Sequence, residues 1–563
     1  MRDDRTALIL IAVVWLVSAA LWFSPGITRP DGVGYYMYLP SISLDSDLLF
    51  FNEWDRFGLI DNGLILHKEV TSTDHLGNHW TVGSAILWSP AFALAHVLRA
   101  LPPLQKFSAD GVSLPFNVAA GFTSAMAGLL TLLLGYRIAR SAAPAMPSVL
   151  AALAIWFGTP LLFYSIRNPI MSHAPSAFAC ALVVLLAFRL RRDAQPASWF
   201  AAGLAAGFAF IVRPQNATFA LIPFMLAQSE GRPWRERIAL FGGGFIVAAL
   251  PQFVVSSFLY GNPFGFLTGG GAARPFAAFE RIWVWEPIFS WYHGLIPWSP
   301  IVAVALAGLA VLWRTDRRLA LAGFYAIATQ WFVNATLERS FWGAYAFGQR
   351  RFDNCTVFFV IGAAALFAKC PRWAQVTIAT LASLWTMSIF FAALGPLDLG
   401  AYFSPGELLK LQGNAILDAG SHLNFLAAVP PGMKAMVALL CMVFLAMGSL
   451  AGFGIHSVRQ REIRAVALLF STLFVGVSFW LVAAGFTGRS RVVHFRPLIE
   501  FNRTVSSALG GADARMGLLS DEARYLRKSG RIAEAEATEA ELRELESMRR
   551  MGFEKLRAMG VAK

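Results

Sequence analysis

The chain opens with an apolar run, ALILIAVVWLVSAALW at Ala7–Trp22, which is followed at once by FSPGITRPDGVGYY at residues 23–36. The first run approaches the roughly 20 residues that an α-helix needs to cross the hydrocarbon core of a bilayer. Pro30 cannot continue a helix, and Gly32 and Gly34 permit a tight turn. The stretch therefore predicts a membrane helix that ends just before a polar turn at the membrane surface.

A secretory signal peptide is the alternative interpretation of this first run. Ser24-Pro25-Gly26 matches a small-residue cleavage site poorly, so we expect an uncleaved first helix. The composition of the whole chain agrees with a membrane protein. Of its 563 residues, 56% are apolar and 14% are charged, whereas soluble domains average roughly 45–50% and 25%.

Apolar runs recur along the chain and predict an all-α polytopic membrane protein with about 13 transmembrane helices. The runs cover residues 7–25, 115–136, 148–165, 173–190, 197–212, 216–228, 238–260, 299–313, 319–337, 353–368, 374–394, 433–455 and 463–486.

Basic residues decide the orientation of these helices. The formal net charge of +13 does not indicate a nucleic-acid partner, because Lys and Arg form short clusters between apolar runs. If Thr81–Leu98 does not cross the membrane, the clusters share one side with Arg2 and Arg5, and the positive-inside rule makes that side the cytoplasm. The clusters are Arg137/Arg140, Arg189/Arg191/Arg192, Arg232/Arg235/Arg237, Arg314/Arg317/Arg318, Lys369/Arg372 and Arg459/Arg461/Arg464.

We therefore expect Thr81–Leu98 to be an interfacial or re-entrant segment on the outer face. The predicted outer loops are then residues 26–114, 261–298, 338–352 and 395–432. Three regions follow: a transmembrane module at 1–370 that contains outer loop 26–114, further transmembrane helices at 371–486, and an extracytoplasmic helical tail at 487–563. The tail predicts two amphipathic helices divided near Ser529-Gly530, as a packing cap or, alternatively, a helical-repeat hairpin.

Asp31 is the candidate catalytic residue. It follows the first helix directly, so its carboxylate is expected at the membrane surface, facing the space that the outer loops enclose. A carboxylate in that place can act as a general base on an acceptor hydroxyl or amine. The alternative is a solvated turn aspartate that caps the next helix.

Further stretches rich in aromatic, glycine and basic residues lie in the same predicted loops or at helix ends: Asn78–Pro90, Met171–Ala174, Tyr260–Pro263, His293–Pro300 and Phe341–Arg351. Together with Asp31 and the long loop after the first helix, they resemble membrane glycosyltransferases of the GT-C fold, whose members include protein O-mannosyltransferases and bacterial lipid A aminoarabinose transferases. The chain resembles bacterial GT-C proteins of unassigned substrate more than any named transferase.

This resemblance implies a glycosyltransferase with interfacial helices in its first outer loop. The implied donor is a polyprenyl-phosphate-linked sugar that arrives through the bilayer, and the acceptor is an extracytoplasmic lipid, glycan or protein. The implied location is a bacterial inner membrane, with the active site facing the periplasm. No Gly-rich phosphate loop follows a strand, so a nucleotide-linked donor is not expected.

A phosphate leaving group needs a cation beside it, because it gains negative charge as the glycosidic bond breaks. Arg350 and Arg351 end an aromatic outer loop just before an apolar run, where a lipid phosphate lies. The remaining substrate-binding candidates are Tyr35, Asp47, Arg167, His173, Arg213 and His293. Each arginine could instead be a snorkelling anchor, and each histidine a satisfied core residue.

No cofactor is predicted, although Asp45 and Asp47 form an Asp-x-Asp pair that could hold a divalent cation. Some GT-C enzymes use a metal and others do not. A zinc site from His67, Asp74, His75 and His79 is a weaker alternative, because glycine and asparagine interrupt the helix needed to align it. The four cysteines, Cys180, Cys355, Cys370 and Cys441, have no metal-ligand spacing and are expected to be packing residues.

Two other functions compete with the transferase. A transporter or flippase of a lipid-linked substrate usually shows internal repeats and ionisable residues near mid-membrane. Here the charged residues gather at loop edges and no internal repeat is evident, which favours the enzyme. A non-catalytic assembly factor is the third alternative.

Overall fold

The structure, a computed structural model, describes residues 2–27, 31–57, 70–192, 194–227, 233–268, 279, 281–338, 340–343, 345–395, 397–417, 460–491, 499–501, 503–504 and 512–558. Within these ranges the regular structure is helical, apart from an isolated bridge between Val70 and Leu76. The predicted all-α fold class is therefore confirmed for the described part of the chain.

The α-helices are α1 Arg2–Trp22, α2 Asp31–Tyr36, α3 Tyr38–Pro40, α4 Phe51–Arg56, α5 Gly83–Leu98, α6 Leu114–Ala139, α7 Ala145–Gly158, α8 His173–Arg189, α9 Pro196–Val212, α10 Ile222–Leu226, α11 Trp234–Tyr260, α12 Gly265–Thr268, α13 Glu286–Phe289, α14 Leu295–Trp298, α15 Ile301–Leu312, α16 Arg317–Thr336, α17 Thr356–Phe367, α18 Arg372–Leu394, α19 Pro405–Leu417, α20 Gln460–Arg491, α21 Ala512–Lys528 and α22 Ile532–Ala558. Ser41–Asp45 and Phe163–Arg167 are π-helical, and Pro102–Leu104, Pro214–Leu221 and Arg350–Cys355 are 3₁₀-helical.

The chain is a multi-pass membrane protein. Among the described residues, four helices are long and apolar enough to cross a bilayer: Asp4–Trp22, Leu114–Ala139, Trp234–Tyr260 and Arg372–Leu394. Six further apolar helices are shorter: Gly83–Leu98, Ala145–Gly158, His173–Arg189, Pro196–Val212, Ile301–Leu312 and Ser471–Thr487. The predicted count of about 13 spans is thus not confirmed, and the run at 433–455 lies outside the described residues.

The predicted run at residues 216–228 does not form one helix. The chain is extended at Arg213, continues as the 3₁₀ segment Pro214–Leu221, and then makes the short helix α10. Pro214 and Pro223 explain this difference, because proline removes a backbone donor and clashes with the preceding helical turn. As a result, Arg213 lies at the end of α9 and before an irregular segment.

Helix α6 lies inside the bundle and contacts α5, α7, α8 and α17, with most of its side chains buried. Helices α9 and α11 pack closely along their length. At Gly203 of α9, a Cβ atom would overlap the carbonyl oxygen of Phe241 in α11, whereas a Cβ at Gly242 would meet no atom within 4 Å. Small residues at such crossings let helix backbones approach each other in a membrane protein.

The predicted outer loops contact one another. The Tyr36 hydroxyl donates to the Gly111 carbonyl over 2.7 Å, which joins the beginning and the end of the first predicted loop, residues 26–114. At the start of α5, Thr81 donates to the carbonyl of Val212 at the end of α9. Asp31 of the first loop also pairs with Arg350 of a later one. These contacts create a shared layer of loops over the helix ends.

We predict that Gly203→Ala destabilises the protein by about 1–3 kcal/mol, because the added methyl group must displace the α11 backbone. The midpoint of thermal unfolding in detergent measures this effect. Gly242→Ala is the matched control on the same helix pair and should leave the midpoint nearly unchanged. Equal midpoints for the two variants would contradict the close approach at Gly203.

Candidate active site

Asp31 and Arg350 form an ion pair at the centre of the loop layer. Arg350 Nη2 lies 3.0 Å from Asp31 Oδ2, and the two side chains are 12% and 33% exposed. Trp80 Nε1 donates to the other carboxylate oxygen over 3.3 Å. The Asp31 carboxylate therefore lies in a partly enclosed cleft, beside a cation.

The sequence around Arg350 bends the chain so that its guanidinium reaches Asp31. Gly343 and Gly348 have φ values of +68° and +58°, which glycine adopts without steric cost. Arg350 Nη2 also donates to the Gly343 carbonyl over 2.9 Å. The loop thus curls back on itself and holds the arginine from its own backbone.

His173 and Arg213 extend the site on the other side of Arg350. His173 Nδ1 lies 3.1 Å from Arg213 Nη1. It also lies 3.1 Å from the carbonyl oxygen of Arg350. His173 Nδ1 can donate to the carbonyl or accept from Arg213, but not both at once. The Tyr164 ring packs on His173 with centroids 4.4 Å apart, which fixes the imidazole plane.

Asp353 supplies a second carboxyl group near these cations. It lies in the 3₁₀ segment that begins with Arg350, and its side chain is 3% exposed. Asp353 Oδ2 is 3.6 Å from His173 Nδ1 and has no hydrogen-bond partner within the described chain. The site therefore contains two arginines, one histidine and two carboxyl groups.

Tyr35 of α2 completes the cluster. Its hydroxyl hydrogen-bonds to the Ser172 side chain and lies within electrostatic range of Arg213 and Asp31. Of the predicted site residues, the structure thus brings together Asp31, Tyr35, His173, Arg213 and Arg350.

The local charges determine the protonation state of Asp31. Burial by itself raises the pKa of the Asp31 carboxyl, but nearby groups outweigh it. The charges of Arg350 and His79 lower the pKa, as does the hydrogen bond from Trp80. The net pKa of Asp31 lies below its usual value, so the group is a carboxylate at neutral pH.

Arg351 points to a different partner from that of Arg350. Its Nη2 atom lies 2.8 Å from Glu338 Oε2, and Nη1 donates to the Ser340 carbonyl. The Arg351 carbonyl accepts a hydrogen bond from Gln215 over 3.0 Å. Arg351 therefore links the end of α16 to the segment that carries Arg350.

His293 and Arg167 are not joined to Asp31 or Arg350 by a hydrogen bond or ion pair in the described residues. His293 is buried and stacks on Trp298 with centroids 4.6 Å apart. Arg167 ends the π-helix Phe163–Arg167 and is partly buried.

The Asp-x-Asp pair is engaged within its own loop. Arg56 donates to both oxygens of Asp45 over 2.9 and 3.0 Å. Asp47 accepts from the Ser41 hydroxyl and the Leu49 amide. Across the part of the chain that the structure describes, no group of three or more His, Cys, Asp or Glu side chains is arranged to hold a metal. His67 of the alternative zinc set lies outside that part.

The sequence indicated some of these contacts without assigning them. Trp80 lies in the quoted stretch Asn78–Pro90, but a tryptophan in an aromatic loop has no signature that marks its indole as a donor. Asn78 holds this stretch to the first loop by donating to the Gly34 carbonyl over 2.9 Å. Asp353 had a signal that was overlooked: a carboxylate at the start of an apolar run is costly and usually functional.

Residues 116–256 match the family described as dolichyl-phosphate-mannose-protein mannosyltransferase, a class of glycosyltransferases. The matched segment covers less than half of the chain and includes His173 and Arg213. The resemblance to the mannosyltransferases that the sequence indicated is thereby confirmed.

Solved structures of one transferase are also similar to this chain. ArnT from Cupriavidus metallidurans bound to undecaprenyl phosphate is 15% identical, with 89% of this chain and 80% of that chain covered and a TM-score of 0.39. The apo state of the same protein is 16% identical, with 87% and 78% covered and a TM-score of 0.41. A comparison with curated proteins gives no match.

We predict that Arg351→Met lowers the free energy of unfolding by about 1–3 kcal/mol, because it leaves the Glu338 carboxylate without its partner in a partly buried place. Chemical or thermal unfolding in detergent measures the change. Arg527→Met is the control, since the Arg527–Glu539 pair lies in solvent and contributes little. A change no larger than that of the control would show that the Arg351–Glu338 pair does not stabilise the fold.

Proposed function

We propose that the chain is a glycosyltransferase that moves a sugar from a polyprenyl-phosphate-linked donor to an extracytoplasmic acceptor, with its site facing the periplasm of a bacterial inner membrane. The observation that carries the proposal is the partly buried ion pair of Asp31 and Arg350. The carboxylate can accept a proton, and the guanidinium can bind a phosphate. The family match supports the donor class, because its description names a polyprenyl-phosphate sugar, dolichyl-phosphate-mannose.

The proposed reaction needs one base and one phosphate-binding cation. The acceptor oxygen forms a bond to the anomeric carbon, and its proton passes to the Asp31 carboxylate. The bond between the anomeric carbon and the phosphate oxygen breaks, and its electron pair stays on the phosphate. Arg350 stabilises the charge that develops there.

Arg213 is the second phosphate ligand in this proposal. Its guanidinium contacts His173, which can accept that hydrogen bond only through an unprotonated Nδ1. A contact between a cation and a neutral ring is readily exchanged for a contact with a phosphate oxygen. Arg351, which the sequence also suggested for this role, is held by Glu338. We therefore assign donor binding to Arg350 and Arg213.

The ion pair between Asp31 and Arg350 also determines the order of donor binding and acceptor activation. While Arg350 bonds to Asp31, the carboxylate has a lowered pKa and is a weak base. A bound phosphate competes for the Arg350 guanidinium and weakens its hold on Asp31. The basicity of Asp31 then rises when the donor is in place. Donor binding thus precedes activation of the acceptor.

We predict that Asp31→Asn lowers the transfer rate by about 10²–10⁴-fold, because it removes the carboxylate that takes the acceptor proton in this proposal. The assay uses purified protein and a labelled polyprenyl-phosphate sugar. The same variant should bind undecaprenyl phosphate at least as tightly as the wild type, since Arg350 no longer has a competing carboxylate. Asp45→Asn, in the same loop but paired with Arg56, is the control. Transfer at the wild-type rate by Asp31→Asn would remove this carboxylate from the mechanism.

Replacing Arg350 should affect binding of the phosphate group of the lipid donor. We expect Arg350→Ala to weaken binding of undecaprenyl phosphate by about tenfold or more, the loss typical of a charged hydrogen bond. Direct binding to purified protein measures it. Arg351→Met is the neighbouring control and should keep its affinity, although it is less stable. Normal affinity in Arg350→Ala would mean that this residue only anchors the loop.

A further inference from the structure

The helical hairpin of α21 and α22 rests on the outer loops near the candidate site. Tyr525 of α21 is 6% exposed. Its ring stacks on Trp342 with centroids 5.6 Å apart, and on Tyr292 with centroids 5.9 Å apart. Its hydroxyl hydrogen-bonds to Ser290. The hairpin thus inserts one aromatic ring between two separate outer loops.

One of these loops leads directly to Arg350. Trp342 precedes Gly343, whose carbonyl oxygen accepts from Arg350 Nη2 over 2.9 Å. Arg350 in turn holds Asp31. A short series of contacts therefore joins Tyr525 to the ion pair of the candidate site, although Tyr525 itself touches neither member.

Hydrogen bonds within this loop are not its only support. Besides its two left-handed glycines, Tyr345 has a φ of +52°, which a residue with a Cβ atom adopts at a cost. Such conformations persist where surrounding structure determines them. The Tyr345 ring is 72% exposed and so has little burial of its own to offset that cost. The loop is supported at Phe347, which stacks on Phe163 with centroids 4.6 Å apart, and at Trp342, on which the Tyr525 ring packs.

Ion pairs fix the hairpin in place. Arg281 Nε donates to Glu522, whose side chain is 1% exposed, over 2.6 Å. On the other side, Arg531 lies 3.1 Å from Glu286. The two guanidinium groups lie 5.8 and 5.3 Å from the Trp283 ring centroid. Removing Arg281 would leave the buried Glu522 carboxylate without its partner, which is strongly destabilising.

We propose that Tyr525 is a positioning residue: the C-terminal hairpin holds the loop at residues 340–343 so that the Arg350 guanidinium lies over Asp31. The hairpin supplies no group to the reaction. When the hairpin no longer packs on Trp342, the loop changes conformation and the Arg350 guanidinium moves away from Asp31. The effect on the donor rests on the proposed function, whereas the effect on the loop does not.

Hydrogen–deuterium exchange of the full-length protein in detergent tests the loop directly. In Tyr525→Ala, peptides that cover residues 340–355 should exchange at least several-fold faster than in the wild type. Tyr525→Phe retains the ring and loses only the bond to Ser290, so it should restore slow exchange. Arg527→Ala is the control on the same helix, because Arg527 pairs with Glu539 inside the hairpin. Unchanged exchange in Tyr525→Ala overturns the proposal.

Binding of undecaprenyl phosphate gives the second measurement. Tyr525→Ala should weaken binding about tenfold in the wild-type background and add nothing in the Arg350→Ala background, since residues that act as one unit are not additive. Additive losses overturn the positioning role. If the wild type does not bind the lipid at all, the proposed function fails, and the exchange result still decides the role of the hairpin.

A second variant keeps the test open if Tyr525→Ala does not fold. Arg281→Met removes the contacts to Glu522 and Glu534 but leaves Tyr525 intact. It should speed exchange of residues 340–355 and weaken lipid binding in the same direction. If the helices of the hairpin exchange faster in Arg281→Met while residues 340–355 exchange as slowly as in the wild type, the proposal is overturned.

Discussion

The candidate site depends on one ion pair between residues that are 319 positions apart in the chain, Asp31 and Arg350. Each charge is costly to place in a partly enclosed cleft without the other. Their pairing therefore constrains the loop after α1 and the loop before α17 to meet. The remaining site residues are arranged around this meeting point. Tyr35 comes with Asp31 on α2, and Asp353 comes with Arg350 on the 3₁₀ segment.

The helices deliver the other groups at their ends. His173 is the first residue of α8, and Arg213 follows the last residue of α9. Both lie on the side where the outer loops contact one another. A site built in this way takes its polar groups from helix ends and from the irregular segments between helices.

The sequence predicted the membrane class, the helical fold and several residues of the candidate site, but not Asp353 or Trp80. Asp31 and Arg350 could each be found, because one follows a helix-ending proline and the other ends an aromatic, glycine-containing loop. Their pairing could not be found, since it depends on the left-handed turns at Gly343 and Gly348 and on contacts across the whole chain. The same limit applies to Arg351: two adjacent arginines are equivalent in a sequence, and only the fold gives one of them to Glu338.

Three of the helices that end at the site are short. Helices α8 and α9 have 17 residues each and α17 has 12, so at 1.5 Å per residue they measure roughly 26, 26 and 18 Å. A typical hydrocarbon core is about 30 Å thick. Most side chains of α8 and α17 are buried against other helices. The irregular backbone at the ends of these two helices is therefore enclosed by protein and not exposed to lipid, which is the condition under which non-helical backbone is tolerated within the thickness of a membrane.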